Sequence, residues 1–421
     1  MKIDFEKASF KDFENIEGQD IYATALEFEE YLNFLKANGH LNYRIESLSP
    51  CGPEMDLLLP GDSEPTRSVC LVSNDYLGFS QHPKVKEAVI EGVRTFGTGS
   101  GASPAIGGHF VYHQLLENKI AAFHKKKNAI LYTTGYTANS ATLQCLLHKE
   151  DIAILDMAVH ASVYEGCINT TTVKTFLHND LDALELALKN AQYAYRTKFV
   201  VVDGVYSQDG DLAPLDKVAE LTHRYGAKLV VDDAHGIGVI GETGRGVIEM
   251  YNLCDRVDII TGTFSKALGN IGGYVIANSE IISYLKFQSK QHLFSTTATP
   301  AIMGILKAID LIDEEPFWKT KLWENIDYIK NGLVGLGFDV GTTASAVIPV
   351  KIGGIAKTLE TGRLLLKSGI YTNPIMYPAV AKKNSRIRLN IMAGHTKEQL
   401  DKVLNAFAVV DQQVHFSNRY V

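Results

Sequence analysis

Val257-Asp258-Ile259-Ile260 runs directly into Thr261-Gly262-Thr263-Phe264-Ser265-Lys266-Ala267-Leu268-Gly269, and Asn270-Ile271 then lead to the pair Gly272-Gly273. The apolar run, Val257 to Ile260, reads as a buried strand, and Thr261 to Gly269 as a hydroxyl- and glycine-rich turn that presents Lys266. An amine at such a place can form a Schiff base with a carbonyl, while the hydroxyls and backbone N–H groups around it can hold a phosphate. Pyridoxal phosphate (PLP) asks for both. The plainer alternative is a solvated loop lysine, where most lysines sit. The rest of the chain decides between them.

Working upstream, the same pattern recurs. Lys228-Leu229-Val230-Val231-Asp232 is a strand followed by Asp233-Ala234-His235, and Lys198-Phe199-Val200-Val201-Val202-Asp203 is another. Ile152-Ala153-Ile154-Leu155-Asp156 precedes Met157-Ala158-Val159-His160, and Ala129-Ile130-Leu131-Tyr132 precedes Gly135-Tyr136-Thr137-Ala138-Asn139, which enters a helix. Between these strands Asn179 is placed to cap a helix carrying Leu181, Leu184 and Leu188. Pro214 fits the first turn of a helix with Leu215, Val218, Ala219 and Thr222 on one face, stopped at Gly226. Apolar strands that end in acidic or hydroxyl residues and alternate with helices predict an α/β fold, a mostly parallel central sheet with helices on both faces. Ligands of such sheets bind beyond the carboxyl ends of the strands, which is where Asp203, Asp232 and Lys266 stand.

The flanks read differently. Residues 1–68 form an N-terminal segment, with a helix from Tyr22 to Asn38 ended by Gly39 and a turn-rich connection or short hairpin from Pro50 to Pro65. Residues 69–300 form the large domain. It opens with strand Val69–Val72, the loop Ser73-Asn74-Asp75-Tyr76-Leu77-Gly78 and a helix marked by Val85, Val89, Val93 and Phe96. The glycine run Gly97 to Gly108 is no P-loop, because no Gly-Lys-Ser/Thr comes after it, and a helix from His113 to His124 is next. Residues 301–421 form a smaller α+β domain: helices Ile302–Asp313 and Phe317–Leu336, a strand from Val347 to Ile352, a helix from Thr358 to Lys367, a strand from Arg386 to Ile391, and a last helix opened by a Thr396/Gln399 capping box.

Composition bounds the function. A chain of 421 residues exceeds the roughly 250–300 at which one core stops growing, so more than one domain is expected. With 46% apolar and 21% charged residues and a net charge of −7, and no long basic run, nucleic acid is not an expected partner. The five cysteines are scattered without a CxxC pair, as in a reduced compartment. The first residues carry no signal-like apolar stretch and no later segment runs to about 18 apolar residues. A cytoplasmic protein with at most peripheral membrane contact is expected.

Rival chemistries find little support. Gly236-Ile237-Gly238-Val239-Ile240-Gly241 matches a dinucleotide fingerprint after a strand, but Glu242-Thr243-Gly244-Arg245-Gly246 prolongs the loop where a helix should open, and two aspartates before it would repel a pyrophosphate. No His/Cys spacing suggests a metal, and no G-x-S-x-G suggests a serine hydrolase. A carboxylate at Asp232 is costly beyond a buried strand unless it meets a cation. A protonated pyridine nitrogen is one such cation, and a helix cap is the alternative. His160 reads as a core histidine in isolation and, beside Asp232 and Lys266, as a flat cover for a flat cofactor. The amides opening the helix at Gly135 offer a phosphate site.

Taken in order, Asn74 to Gly78, Gly135-Tyr136 with Ala138-Asn139, Asp156 to Ser162, Asp203 to Asp211, Asp232 to Gly238, Thr261 to Gly269 and Arg386 to Thr396 resemble the α-oxoamine synthases, PLP-dependent enzymes of the type I aminotransferase fold. The resemblance spans about Asn74 to His395. It implies that Lys266 carries the cofactor and moves the α-proton, that Asp232 pairs with the pyridine nitrogen, and that His160 stacks on the ring and helps orient the substrate. His235 and Ser207 would lie near the phenolic oxygen. Gly135, Tyr136 and Thr263 would bind phosphate, joined across a homodimer interface by Thr296 and Thr297. Arg388 would bind the substrate carboxylate through its two-pronged donor set, and Asn74 would line the substrate pocket. The reaction implied is a decarboxylating condensation of a small amino acid with an acyl thioester, of coenzyme A or a carrier protein, giving a 3-oxo amine.

Asn373-Pro374-Ile375-Met376-Tyr377-Pro378-Ala379-Val380, with Arg386 to Thr396, looks most like the serine palmitoyltransferase branch. Serine, or an analogue such as cysteate, and a long acyl chain are therefore the leading expectation. An 8-amino-7-oxononanoate synthase or glycine C-acetyltransferase-like enzyme is the alternative, and an aminotransferase the rival from another class. Pro104, where many relatives have arginine or glycine, and an N-terminal segment that matches poorly both depart from the family pattern.

Overall fold

The structure, a computed structural model, describes residues 3–296 and 298–417. The chain divides into two compact units. The larger comprises Asn74–Ser207 and Asp211–Lys321, and the smaller comprises the segment ending at Ser73 together with Gln208–Gly210 and the stretch from Leu322 onward. The expected breaks at 68/69 and 300/301 are not where the units part. Within the smaller unit, Ile370–Tyr371 pairs in parallel with Thr66–Cys70, joining the N-terminal hairpin to the C-terminal part of the chain. Within the larger, the helix Met303–Glu314 lies so close to Pro83–Phe96 that a Cβ on Gly92 would stand 2.5 Å from the Pro300 carbonyl.

The larger unit is built on seven strands: β1 (Ala129–Tyr132), β2 (Ile152–Asp156), β3 (Thr172–Phe176), β4 (Lys198–Asp203), β5 (Lys228–Asp232), β6 (Ile259–Thr263) and β7 (Gly273–Ile276). Their order is β1-β7-β6-β5-β4-β2-β3. Only β7 is reversed, antiparallel to both β1 and β6, so the sheet is mostly parallel as expected. β1, β2, β4, β6 and β7 are buried throughout, which is what continuous Val/Ile/Leu runs between two helical layers produce. Ile130, Leu155, Val201, Val230 and Ile259 from the sheet form one core with Ala138, Leu143 and Val163 from the helices. Strand β3 does not show in the apolar pattern because it is the sheet edge: in Thr-Val-Lys-Thr-Phe only Phe176 is buried.

Three local expectations are corrected. Strand β6 starts at Ile259 and runs on through Thr263, taking in residues read as turn. Gly262 is a packing glycine, since a Cβ there would sit 2.4 Å from the Tyr274 ring on β7. Asn179 does not cap the next helix. It adopts a left-handed φ of 55°, and Asp180 caps Leu181–Ala191 by accepting from the Ala183 N–H at 2.9 Å. Pro214 lies just outside its helix, as the N-cap of Leu215–Arg224.

The smaller unit contains the sheet Glu46–Ser47, Glu54–Leu58, Thr66–Cys70 and Ile370–Tyr371, and a three-stranded sheet of Val347–Lys351, Arg386–Asn390 and Asn373–Ile375. Its N-terminal segment makes a core of its own, in which Phe13 stacks on Tyr31 at 4.8 Å between Phe5, Phe10, Phe28 and Leu35. The capping box at Thr396 and Gln399 opens the helix Lys397–Val414 as expected.

Candidate active site

The carboxyl ends of the parallel strands converge on a cavity of about 210 Å³ within the larger unit, lined among others by Gly135, His160, Asp203, Asp232, Thr263 and Lys266. Each side chain arrives by a short route. β5 ends on Asp232, β4 on Asp203 and β6 on Thr263, so chain direction alone brings their side chains to one end of the sheet. Lys266 comes three residues after β6, in a turn closed by the Phe264 N–H to the Gly272 carbonyl.

Asp232 is 6% exposed. One of its oxygens accepts from Asn139 Nδ2 at 2.6 Å and the other from the Ala234 N–H at 3.0 Å. Asn139 also donates to Ser162 Oγ at 3.0 Å, and that hydroxyl lies 2.8 Å from His160 Nδ1. One network therefore orients both the carboxylate and the imidazole. His160 N-caps the helix Ala161–Ile168, and Tyr136 meets it edge-on with ring centroids 5.9 Å apart. Burial pulls the His160 pKa down; Asp232 pulls it back up, and Lys266 adds to the lowering. Asp203 is pushed well above the usual carboxylate range, first by burial and then by the Asp232 charge. His235 Nδ1 lies 2.6 Å from the Tyr76 hydroxyl, which is in turn 3.2 Å from Asn74 Oδ1.

The helix Gly135–Leu146 aims its N-terminus into the cavity. Thr134 Oγ1 accepts from the Thr137 N–H at 3.0 Å and the Thr134 carbonyl accepts from the Ala138 N–H, which leaves the Gly135 and Tyr136 amides without an intrahelical acceptor. Gly135 is required there: a Cβ would stand 2.6 Å from Thr263 Cβ. Thr263 Oγ1 lies 2.8 Å from Ser265 Oγ and donates to the Gly272 carbonyl at 2.9 Å. Two backbone amides with a helix dipole behind them, and two hydroxyls beside them, make a phosphate cradle. The same cavity is lined by a carboxylate suited to a cationic ring nitrogen, an imidazole and an amine. This donor set fits PLP.

The expected residues Lys266, Asp232, His160, His235, Ser207, Gly135, Tyr136 and Thr263 thus share one cavity. Asn74, expected to line the substrate pocket, is not among the residues lining this cavity; its Oδ1 accepts from the Tyr76 hydroxyl. Thr296 lines a separate cavity of about 130 Å³ with Thr133, Thr137 and His292, and Thr297 lies outside the described residues. Arg388 belongs to the smaller unit, on Arg386–Asn390, where its neighbour Arg386 is buried and spent on Asp209 Oδ1 at 2.6 Å. Asp203 was expected at this end of the sheet but given no role, and Asn139, although it stands in a quoted motif, was not singled out for the site. An asparagine at the fifth position of a helix that succeeds a strand, one turn in from the N-terminus, is the signal for Asn139.

The dinucleotide look-alike has a structural explanation. Its glycines are packing glycines: a Cβ on Gly236 would lie 2.0 Å from one oxygen of the buried Asp233 carboxylate, one on Gly238 2.8 Å from Ala267 Cβ and one on Gly241 2.2 Å from a Glu249 oxygen, while Gly246, beyond the motif, would bring a Cβ 1.8 Å from the other Asp233 oxygen. Burial raises Asp233 to about 7, and it accepts from the Val247 N–H at 2.8 Å. Among the described residues no group of acidic, histidine or cysteine side chains could hold a metal ion, and no helix is long and apolar enough to cross a membrane.

Fold and site define a type I PLP-dependent transferase. Residues 67–407 match the aminotransferase class I and II family. The chain is 40% identical to the 8-amino-7-oxononanoate synthase of Alkaliphilus metalliredigens, over 86% of this chain and 92% of that one, and 39% identical to that of Thermoanaerobacter pseudethanolicus, over 92% and 97%. Among solved structures, the serine palmitoyltransferase of S. paucimobilis with bound PLP and myriocin superposes with a TM-score of 0.89 at 28% identity, covering 94% of this chain and all of that one. The chain belongs to the α-oxoamine synthase family: it is a PLP-dependent C-acyltransferase.

Proposed function

We propose that the enzyme condenses alanine with a pimeloyl thioester to give 8-amino-7-oxononanoate. The observation that carries this reading is the identity of 39–40% over nearly the full length of relatives bearing that name. The reaction is balanced in atoms and charge. A bond forms between the amino-acid α-carbon and the acyl carbon, the C–S bond breaks to release thiolate, the carboxyl leaves as carbon dioxide, and a proton returns to the α-carbon. PLP supplies the electron sink for the charge that develops there.

The chain's residues divide the remaining work. Lys266 Nζ holds the cofactor and takes the α-proton, as an amine poised at the cavity edge can do. Asp232, fixed by Asn139 and the Ala234 N–H, would keep a positive charge on the ring nitrogen. His160, kept neutral by burial, covers the ring and presents to the substrate the nitrogen not held by Ser162. His235 and Ser207 would bond the ring oxygen. The Gly135 and Tyr136 amides and Thr263 would hold the phosphate, with Thr296 and Thr297 serving a second copy's site. Arg388 takes the substrate carboxylate, and Asn74 steadies the Tyr76–His235 pair at the pocket's edge.

A second reading, serine with a long-chain acyl thioester, was the leading expectation of the sequence. It is favoured by the TM-score of 0.89 to a serine palmitoyltransferase and by the stretch Asn373 to Val380. Steady-state thiol release with each amino acid and acyl pair, with products weighed by mass spectrometry, separates the two. The expected result is the highest kcat/KM for alanine with the pimeloyl thioester. A higher value for serine with palmitoyl thioester would replace this reading by the second.

A further inference from the structure

Behind the cavity wall lies a charged cluster with no part in the chemistry above. His178, two residues past the end of β3, has its Nδ1 3.0 Å from Asp156 Oδ1 and its Nε2 3.0 Å from Asp211 Oδ2. A neutral imidazole has one N–H, so it can donate to only one of two ionised carboxylates; donation at both nitrogens takes the doubly protonated ring. Asp156 is 1% exposed and accepts in addition from the Ala158 N–H at 2.8 Å and the Asn179 N–H at 2.8 Å. The Asn179 amide completes the frame, with Nδ2 donating to Asp211 Oδ2 at 3.3 Å and to the Leu212 carbonyl at 3.2 Å. The Tyr206 ring stands edge-on to His178 at 4.4 Å.

These contacts tie together the two loops that carry the site. Asp156 anchors the turn that ends on His160. Asp211 faces back across the bridge between Val205 and Leu212, and Val205 and Ser207 line the cavity. We propose that His178 is a positioning residue of the reaction, an imidazolium clamped between Asp156 and Asp211 that locks the His160 turn to the Val205–Ser207 wall and offsets the negative charge stacked behind the cavity.

The groups facing it are Asp156 from β2, Asp211 and Tyr206 from the segment after β4, and Asn179 from its own loop. Burial lowers the His178 pKa, but the hydrogen bonds to the two aspartates outweigh it and raise the ring to about 10. The charge is thus present across the neutral range. The Asp156 charge also contributes to the upward shift of Asp203, so the balance at His178 reaches the cavity lining.

This inference rests on cofactor attachment at Lys266, not on the choice of substrates. Neutron diffraction from deuterium-exchanged crystals of the holoenzyme at pH 8, where an ordinary histidine is neutral, is expected to show a deuteron on both nitrogens of His178. A deuteron on one nitrogen alone would overturn the proposal. In solution, the pH midpoint of the cofactor–lysine absorbance is expected to rise by about half a unit or more in His178→Gln, because a lost cation leaves the cavity more negative. It is expected to return towards the wild-type value when Asp211→Asn is added. A midpoint that does not move, or that moves and is not restored by the second substitution, would mean a purely structural histidine. If His178→Gln does not fold, the neutron result decides alone. A wild-type protein without the absorbance band would instead defeat the cofactor placement, and the neutron result would still read the protonation of His178.

Discussion

Asp203 and Asp232 are registered partners across β4 and β5, so two carboxylates, 3% and 6% exposed, stand side by side at adjacent strand ends. Two such groups in a dry site do not both ionise cheaply. Asp232 is fixed by Asn139 and the Ala234 N–H, whereas the Asp203 carboxyl has one long contact, 3.4 Å from the His160 N–H, and is pushed up. Asp203 therefore holds the proton. Asp203→Asn, a neutral isostere of a neutral acid, is expected to keep kcat within a few-fold. Asp232→Asn is expected to lose roughly 10²–10³-fold, the size seen when a preorganised electrostatic partner is removed. Equal losses in the two variants would contradict this division of charge.

Gly135 tests the phosphate cradle. Alanine there would meet Thr263 Cβ at 2.6 Å and push the helix N-terminus off the end of β6. Equilibrium dialysis of the Gly135→Ala apoprotein is expected to show PLP affinity weakened about tenfold or more, which is about 1.4 kcal/mol. Unchanged affinity would remove the Gly135 and Tyr136 amides from the phosphate site.

Two buried histidines of the larger unit contribute to its acid response. His124, whose Nε2 lies 3.2 Å from the Tyr274 hydroxyl, and His292, whose Nδ1 lies 3.1 Å from the Leu131 carbonyl, are each lowered to about 4, chiefly by burial. Their folded values lie below the ordinary 6.5, so below that pH the unfolded chain binds more protons. The stability they contribute is full above pH 6.5 and is lost as pH falls towards 4. Each adds a slope approaching about 1.4 kcal/mol per pH unit within that window. The raised carboxyls Asp203 and Asp233 act in the opposite sense over the same range, so the histidine contribution is read as a difference: the gap in thermal midpoint between wild type and His292→Gln is expected to shrink from pH 6.5 to 4.5. A gap that does not change with pH over that range would refute the assignment.

Much of this architecture was legible because its signals are local. Parallel strands buried on both faces must be written as apolar runs, and Asp203, Asp232, Thr263 and Lys266 sit at or just past their carboxyl ends, so strand direction alone predicted a shared site. What was not legible depends on contacts between distant segments. The edge strand β3 is polar because one side of it has no neighbour. Gly262 looks like a turn residue and is instead space for Tyr274 on β7. The Asp233 carboxylate accounts for Gly236 and Gly246, and close packing on Ala267 and on Glu249 accounts for Gly238 and Gly241. The core around Phe13 and Tyr31 was hidden in a segment whose charges dominate its text. Arg386 and Arg388 are alike in sequence, and only the structure shows Arg386 already committed to Asp209.

Every role assigned to the cavity depends on Lys266 as the point of cofactor attachment. Borohydride reduction of the purified holoenzyme, with proteolysis and peptide mass mapping afterwards, is predicted to place a single pyridoxyl adduct on the peptide containing Lys266, and Lys266→Ala is predicted to lose both the adduct and the visible absorbance band. An adduct on another lysine, or a band that persists in Lys266→Ala, would contradict it.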